Sequence, residues 1–232
     1  MPWAVTDVGE DQLVRWIEQS IANGSHILAQ GYQGRVYLFQ GAHQRLVIKA
    51  PSGAGVLRWL RTRMLQQEYR VYRKLDGFNG SPRCYGLLCG RYLVLEYVDG
   101  LPLRHAPLEE RAVFYQTLLD LIQELHARGV AHSDLKRKDN LLVVDGRRPC
   151  LIDFGAAIIR KPGFAPLNHF LFRTAQRFDF NAWIKLKYSN RLDEISAADR
   201  DYYRRTWVEK TARRTKRVYK RIKSWCVAPK SD

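Results

Sequence analysis

Apolar positions recur along this chain with two periods, one typical of helices and one typical of strands. Residues 11–21, 56–75 and 107–128 carry apolar side chains every three or four residues, which predicts three amphipathic helices. Gly24 and Gly129 follow the first and third of these and favour helix termination. Alternating or short apolar runs predict strands or hairpins at 26–28, 29–39, 45–50, 82–88 with 92–98, and 143–149. Residues 156–182 are expected to be irregular, with a helical C-terminal section starting at 183–188.

Two charged residues interrupt the apolar pattern in the first third of the chain. Lys49 lies near the end of the predicted strand 45–50, where burial is unfavourable unless the charge is paired. Glu68 is the one acid in the predicted helix 56–75. It could form a surface ion pair with Arg61 or Arg73, or a partly buried pair with Lys49.

A polar cluster follows the third predicted helix. The segment His132-Ser133-Asp134-Leu135-Lys136 precedes Asn140 and an apolar run, and Asp153-Phe154-Gly155 follows another. Two carboxylates and an amide on adjacent loops suit phosphoryl transfer, because one Asp can orient a hydroxyl while the other groups hold Mg²⁺ on a nucleotide. Each residue also has a simpler structural interpretation: His132 as a core histidine, and Asp134 and Asp153 as turn residues.

Gly31 and Gly34 lie in the predicted hairpin 29–39, at a place where a strand reverses direction. Glycine lets backbone amides approach a phosphate closely, although an ordinary β-turn gives the same pattern. Tyr32 is expected at the tip, over the phosphates.

In this order, the Gly-containing hairpin, strand lysine, helix glutamate, His-x-Asp-x-Lys, Asn and Asp-Phe-Gly resemble the protein-kinase-like superfamily. The resemblance implies an α+β, two-lobed fold with a small β-rich N-terminal lobe and a shortened helical C-terminal lobe. It also implies ATP and Mg²⁺ as ligands. The implied roles are the catalytic base for Asp134, a γ-phosphate contact for Lys136, a phosphate-positioning pair for Lys49 and Glu68, nucleotide contacts for Gly31, Gly34, Val36, Glu96 and Val98, and metal ligation for Asn140 and Asp153.

The chain departs from the usual pattern of this superfamily in three ways. Asn140 lies six residues after Asp134, where five is usual and Asp139 occupies that position; Asn140 is preferred because an apolar strand follows it directly. Ser133 replaces the Arg that generally pairs with a phosphorylated activation loop, so switching by that route is not expected. No Ala-Pro-Glu occurs, and 79 residues follow Asp153. The resemblance is therefore to short members, the lipopolysaccharide core (Kdo/heptose) kinases and the RIO-type kinases.

Four segments are expected: an N-terminal helix packing on the first lobe (1–24), the nucleotide-binding lobe (25–98), the lobe with the catalytic loop (99–200), and a basic amphipathic helix (201–232). The chain carries a net charge of +16, and residues 201–225 hold ten Lys or Arg against two acids. Such a segment favours an anionic membrane surface or, less readily, nucleic acid, while its apolar stripe could equally pack on the C-terminal lobe.

The cysteine content and the hydropathy bear on the cellular location of the protein. Four scattered cysteines favour reduced thiols over a disulfide framework or a zinc site. Neither a signal peptide nor an apolar run of about 20 residues is recognised. We therefore expect a cytoplasmic protein, peripheral on the inner membrane through its basic segment.

The favoured function is an ATP- and Mg²⁺-dependent kinase acting on a hydroxyl of a lipopolysaccharide inner-core sugar. The alternative within the class is a Ser/Thr protein kinase of RIO-like type. A non-catalytic pseudokinase or a basic nucleic-acid-binding module is disfavoured, because Lys49, Asp134 and Asp153 are all present.

Overall fold

The computed structural model describes residues 8–31 and 34–204, and it contains a five-stranded antiparallel sheet followed by a mainly helical part. The first part consists of α1 (Glu10–Asn23), β1 (Ile27–Gly31), β2 (Gly34–Gln40), β3 (Arg45–Ala50), α2 (Gly55–Lys74), β4 (Cys84–Leu88) and β5 (Tyr92–Glu96). The second part consists of β6 (Leu101–Pro102), α3 (Arg111–Ala127), β7 (Val130–Ala131), β8 (Leu141–Val144), β9 (Arg148–Leu151), β10 (Ile158–Ile159) and α4 (Pro166–Lys187). This is the predicted α+β architecture.

The sheet has the strand order β1-β2-β3-β5-β4, so β3 lies at its centre and β4 forms one edge. Helix α1 ends at Gly24, which adopts the left-handed conformation (φ 64°) that glycine tolerates best. Leu13 and Ile17 of α1 lie in one buried cluster with Ile48 and Leu88 of the sheet. The helix therefore packs on one face of the sheet.

A second, larger cluster connects the sheet with the helical part. It contains Leu65 and Tyr72 of α2, Leu93 of β5, Phe114 of α3 and Trp183 of α4. Because one continuous apolar core includes residues of both parts, the cavity between them has packed walls on both sides.

Two predicted helices differ from the observed ones. Helix α3 begins at Arg111 instead of 107, because the preceding turn is tied elsewhere: the amide of Glu109 donates to the carbonyl of Gly146. Val113, one of the apolar residues in the predicted helix 107–128, is exposed. In α2, Leu57 and Leu60 are also exposed, and the first buried residue of this helix is Leu65.

The expectation of irregular structure over residues 156–182, with a helix beginning only at 183–188, is wrong. Helix α4 already starts at Pro166 and runs without interruption to Lys187. Pro166 occupies the first turn, where the missing N–H has no helical partner and the fixed φ is favourable. Proline at this point starts a helix instead of breaking one.

The end of the described chain bears on two other expectations. The basic helix predicted over 201–232 falls almost entirely outside the described residues, and Arg200–Tyr202 form a single 3-10 turn rather than the start of an α-helix. Within residues 8–31 and 34–204, none of the helices combines the length and the apolar character needed to cross a bilayer. The boundaries at residues 24, 98 and 200 remain predictions.

Candidate active site

A cavity of about 350 Å³ lies between the sheet and the helical part. Strands β2 and β3 contribute Gly34 and Lys49 to its wall, and the loops after β7 and β9 contribute Asp134 and Asp153 from the other side. The remaining lining residues are Arg35, Val36, Ala50, Leu65, Arg137 and Ala156. Residues separated by more than 100 positions in sequence thus meet around one space.

Lys49 forms the centre of a three-charge cluster in this cavity. Its Nζ lies 2.7 Å from Oε1 of Glu68 and 3.0 Å from Oδ1 of Asp153. The side chain of Glu68 is fully buried, whereas that of Asp153 retains 36% exposure toward the cavity. The predicted contact between Lys49 and Glu68 is present. The alternative of a surface ion pair with Arg61 or Arg73 is wrong, since the Glu68 side chain has no exposed surface.

The protonation preferences of the three groups follow from burial and mutual attraction. Burial alone would lower the pKa of Lys49, but the charges of Glu68 and Asp153 outweigh it and raise the pKa. Burial raises the pKa of Glu68, with Lys49 opposing the shift. Burial also opposes ionisation of Asp153, yet the nearby Lys49 ammonium holds its pKa below the usual value. Asp153 therefore presents an ionised carboxylate to the cavity at neutral pH.

A row of contacting aromatic rings connects helix α2 with the loop that carries Asp134. Tyr72 packs edge-to-face on Phe154 with ring centroids 5.2 Å apart, and Phe154 lies 4.9 Å from His132. The buried His132 bonds through Nε2 to the carbonyl of Ile152, at 3.0 Å. The amide of Phe154 also donates to Oε1 of Glu68, at 3.2 Å. His132 is thus a core histidine that supports the loop through its Nε2 bond and its ring contact.

Asp134 and Asn140 are adjacent at the base of the cavity. The side-chain amide of Asn140 donates through Nδ2 to the backbone carbonyl of Asp134 at 3.1 Å and to the Asp134 Oδ2 at 3.3 Å. Asp139, the competing candidate, forms an ion pair with Arg104 instead. The ammonium of Lys136 lies 3.9 Å from Oδ1 of Asp134 and is largely exposed. Of the two candidates, it is Asn140 that contacts Asp134.

Asp179 supports this loop and was missed by the sequence analysis. Its carboxylate is fully buried in α4 and accepts from the amides of His132 and Ser133, both at 2.8 Å. It also lies 3.0 Å from Nε2 of His126. Ser133 has φ 69°, an uncommon conformation for a non-glycine residue that these bonds help to hold. The one available signal was a lone acid within the apolar run 178–184.

The glycine hairpin is present, although its tip lies outside the described residues. Gly31 and Gly34 face each other across the β1–β2 pair, and residues 32 and 33, including Tyr32, are not described. Gly34 has φ 150°, and a Cβ there would lie 2.1 Å from the carbonyl oxygen of Ala50. Only glycine fits this position without displacing backbone. Val36, two residues on, lines the cavity as expected.

Glu96 and Val98, for which the resemblance implies nucleotide contacts, lie at the last residue of β5 and two residues beyond it. Neither is among the residues lining the 350 Å³ cavity. The Glu96 carboxylate accepts from the amide of Arg83, at 3.0 Å. The amide of Tyr97 donates to the carbonyl of Arg45. Since the Glu96 side chain bonds to Arg83, just before β4, a base contact from this segment would use backbone groups. Contacts from Glu96 and Val98 remain predictions.

Parts of this chain are similar in sequence to proteins named as serine/threonine-protein kinases. A probable serine/threonine-protein kinase, fnkB, from Dictyostelium discoideum is 29% identical over 112 residues, covering 44% of this chain and 20% of fnkB. Serine/threonine-protein kinase D of Synechocystis sp. is 31% identical over 101 residues, covering 40% of this chain and 20% of the relative. Serine/threonine-protein kinase Pkn1 of Myxococcus xanthus is 40% identical over 75 residues, covering 28% and 11%. The chain thus spans a fifth or less of these relatives' length. No family model matches the chain.

A match to a solved structure identifies the fold of this chain. The Rio2 kinase from Chaetomium thermophilum, in a complex with ADP, Mg²⁺ and phosphoaspartate, superposes with a TM-score of 0.55 at 18% identity. The match covers 80% of this chain and 63% of that one. With the sheet order and the helical part described above, this match shows that the chain has the two-lobed protein-kinase-like fold.

The anchoring by Asp179 gives a test of stability. Asp179→Ala should leave buried amides and His126 without an acceptor, and we expect a loss of roughly 3–5 kcal/mol in the free energy of unfolding. The free energy of unfolding is measured by urea denaturation followed by circular dichroism. Asp193→Ala, which removes an exposed carboxylate, is the control and should shift the midpoint little. Equal midpoints for the two variants would show that Asp179 does not anchor the loop.

Proposed function

We propose that this chain transfers the γ-phosphate of ATP to a hydroxyl group. The observation that carries the proposal is the arrangement around the cavity: the Lys49–Glu68–Asp153 cluster joins its two sides, and Asp134, in contact with Asn140, lines the same space. Phosphoryl transfer depends mainly on positioning and on neutralising phosphate charge, and these groups suit both tasks.

Each residue has a distinct role in this proposal. Lys49 contacts the α- and β-phosphates, and Glu68 fixes its ammonium in place. The backbone around Gly31 and Gly34 covers the phosphates. Asp134 orients the acceptor hydroxyl and takes its proton, and Lys136 approaches the γ-phosphate as charge shifts there. The exposure of Lys136 leaves its ammonium free to move toward that position.

The donor set fits Mg²⁺ bound together with nucleotide phosphates. Within the described residues, no cluster of three or more His, Cys, Asp or Glu side chains forms a metal cage. Mg²⁺ is usually held by one or two protein oxygens with phosphates and waters, so such a cage is not needed. Asp153, ionised by its environment, and Asn140 would supply the protein ligands. The bound ion would neutralise charge on the β- and γ-phosphates.

For the acceptor we favour a Ser or Thr hydroxyl of a protein. The relatives that support this choice are named as serine/threonine-protein kinases. An exposed row of cations, Lys136, Arg137 and Lys138, begins two residues after Asp134. Among the described residues, neither Arg137 nor Lys138 forms an ion pair, so this edge of the cavity favours an acceptor with negative charge near its hydroxyl. A phosphorylated lipopolysaccharide core sugar shares that chemistry and is the second candidate.

The direct test is phosphate transfer from radiolabelled ATP to acidic Ser/Thr peptides, neutral Ser/Thr peptides, core oligosaccharide and nucleic acid. We expect the acidic peptides to be labelled in a Mg²⁺-dependent reaction, and Asp134→Asn to lower the rate by about 10²–10⁴-fold. Asp193→Asn, a matched change at an exposed position, should keep the wild-type rate. Labelling of oligosaccharide alone would select the sugar acceptor, and wild-type turnover by Asp134→Asn would refute the assigned base.

The two neighbouring candidates for the second metal ligand form a matched pair. Asn140→Ala should reduce turnover by about ten- to a hundredfold and raise the Mg²⁺ concentration needed for half-maximal rate. Asp139→Ala only breaks a surface pair with Arg104 and should leave both quantities nearly unchanged. Steady-state rates over a Mg²⁺ titration distinguish them. The reverse result would move the ligand role to Asp139.

We also propose that the basic segment 205–232 attracts the protein to anionic membrane surfaces, a proposal that rests on its sequence alone. Each basic residue near such a surface contributes about 1 kcal/mol, screened by salt. The protein should sediment with anionic liposomes at low salt. Replacement by Gln of Arg213, Arg214, Lys216, Arg217, Lys220 and Arg221 should release it without lowering turnover on a peptide. Absence of wild-type sedimentation at low salt would contradict membrane attraction.

A further inference from the structure

Four large apolar side chains at the start of α4 lie outside the protein interior. Phe164, two residues before the helix, is 97% exposed, and Leu167 in its first turn is 71% exposed. Phe170 and Leu171 are exposed as well, and their spacing from Leu167 places all three side by side on the helix. We call these four residues the exposed stripe. Single exposed apolar residues are ordinary, but a contiguous group of them marks an interaction surface.

The packing of α4 on the rest of the fold does not use the exposed stripe. At this end of the helix the interior contacts come from Phe172 and Ala175, which form a buried cluster with Ala131 of β7. Further along, Asp179 and Trp183 are buried too. With 3.6 residues per turn, the stripe lies on a different side of the helix from these buried residues. A helix that packs only on its own fold carries polar residues on its outer side, so the apolar stripe indicates a partner.

The charged residues next to the exposed stripe in sequence are all positive. Arg160 and Lys161 precede it, Arg173 and Arg177 follow it, and all four are exposed. No Asp or Glu occurs between residues 155 and 178. Lys and Arg have long apolar stems, so their charges can stay in water while neighbouring apolar side chains are buried. The partner of this surface therefore combines an apolar phase with negative charge.

We propose that the exposed stripe inserts into the interface of an anionic membrane. A row of Phe and Leu flanked by Lys and Arg is typical of interfacial helices, which bury their apolar side about 5–10 Å into the boundary between headgroups and acyl chains. The flanking cations then meet the anionic headgroups. Phe164 suits such a contact, because a ring that is almost wholly exposed projects from the surface and enters a lipid phase without a preformed pocket.

A second copy of this chain fits the exposed stripe less well. Two-fold pairing through the stripe would use the same patch on both copies. It would bring the cations of one copy beside those of the other, and like charges across an interface oppose association. An anionic bilayer neutralises the same cations, which is why we favour it as the occupant.

This contact is separate from the membrane attraction proposed for segment 205–232. Attraction by charge alone is screened by salt, whereas the burial of apolar side chains is not. The exposed stripe lies within the described residues, and its insertion depends neither on that segment nor on the proposed phosphoryl transfer.

Insertion of the exposed stripe would bring the candidate active site close to the bilayer. Leu171 and Asp179 are eight residues apart on α4, which corresponds to about 12 Å along the helix axis. Asp179 in turn holds the loop that carries Asp134. A consequence that does rest on the proposed phosphoryl transfer is a preference for acceptors presented at the bilayer surface.

Partitioning of the full-length protein onto vesicles tests the insertion. The vesicles contain equal parts of phosphatidylglycerol and phosphatidylcholine, at about 1 M salt, where charges are screened beyond about 3 Å. Phe164→Ser combined with Leu167→Ser should lower the partition coefficient by about tenfold or more, because two inserted apolar side chains are lost. Leu101→Ser combined with Val113→Ser removes two exposed apolar side chains elsewhere and should leave the coefficient nearly unchanged. Urea denaturation of both variants establishes that they are folded.

A fluorescent label gives a second measurement, the position of the exposed stripe on bound vesicles. An environment-sensitive thiol probe on Leu167→Cys should shift to shorter wavelength and be quenched by lipids brominated in their acyl chains. The same probe on Val113→Cys should do neither. Both variants also carry Cys89→Ser, which removes an exposed native thiol, and the signal of the Cys89→Ser parent is subtracted.

Two results would overturn the proposal. The first is equal partitioning of the wild type and the Phe164→Ser, Leu167→Ser variant at high salt. The second is a probe at position 167 that stays in water on bound vesicles. A dimer of the wild type that this variant abolishes, found by sedimentation together with either result, would assign the exposed stripe to an interface between copies. Neither measurement uses turnover, so failure of the proposed phosphoryl transfer would leave both readouts intact.

Discussion

The buried carboxylate of Glu68 is the constraint on which the rest of the site depends. It contacts the ammonium of Lys49 on β3 and accepts from the amide of Phe154, so one side chain of α2 joins the central strand to the segment that carries Asp153. An isolated carboxylate at zero exposure would be strongly unfavourable, and its two partners come from different parts of the fold. The arrangement is therefore stable only when the sheet, the helix and the loop after β9 are assembled together.

A second buried carboxylate fixes the opposite wall of the cavity. Asp179 on α4 accepts from two consecutive amides of the loop that carries Asp134, and it meets His126 of α3. The contacting rings of Tyr72, Phe154 and His132 connect the segment held by Glu68 with the loop held by Asp179. Positions of Lys49, Asp153 and Asp134 are thus fixed by buried contacts, which is the preorganisation that catalysis by positioning requires.

Residues with a short-range signature were predictable from sequence, and residues defined by distant packing were not. Lys49 and Asp153 lie at strand ends where a charge stands out against apolar neighbours. The Lys49–Glu68 contact was implied by the resemblance of their order along the chain to the protein-kinase-like pattern. Asp179 had no such signature, because its partners are amides 46 and 47 positions away. Helix α4 is hard to predict because Pro162, Gly163 and Pro166 are typical of irregular segments, whereas Pro166 lies in a first helical turn, where proline is favourable. The first turns of α2 have a helical apolar pattern, yet among the described residues Leu57 and Leu60 are exposed, so periodicity alone did not identify the buried part of this helix.

In the proposed function, the three-charge cluster around Lys49 positions a nucleotide together with Mg²⁺. Isothermal titration calorimetry with a non-hydrolysable ATP analogue tests this role most directly, on the wild type and on Lys49→Met, with and without Mg²⁺. We expect Mg²⁺-dependent binding by the wild type and an affinity at least about tenfold weaker for Lys49→Met, since loss of one phosphate-contacting charge would cost more than about 1.4 kcal/mol. Binding that is independent of Mg²⁺, or equally tight in both proteins, would contradict it.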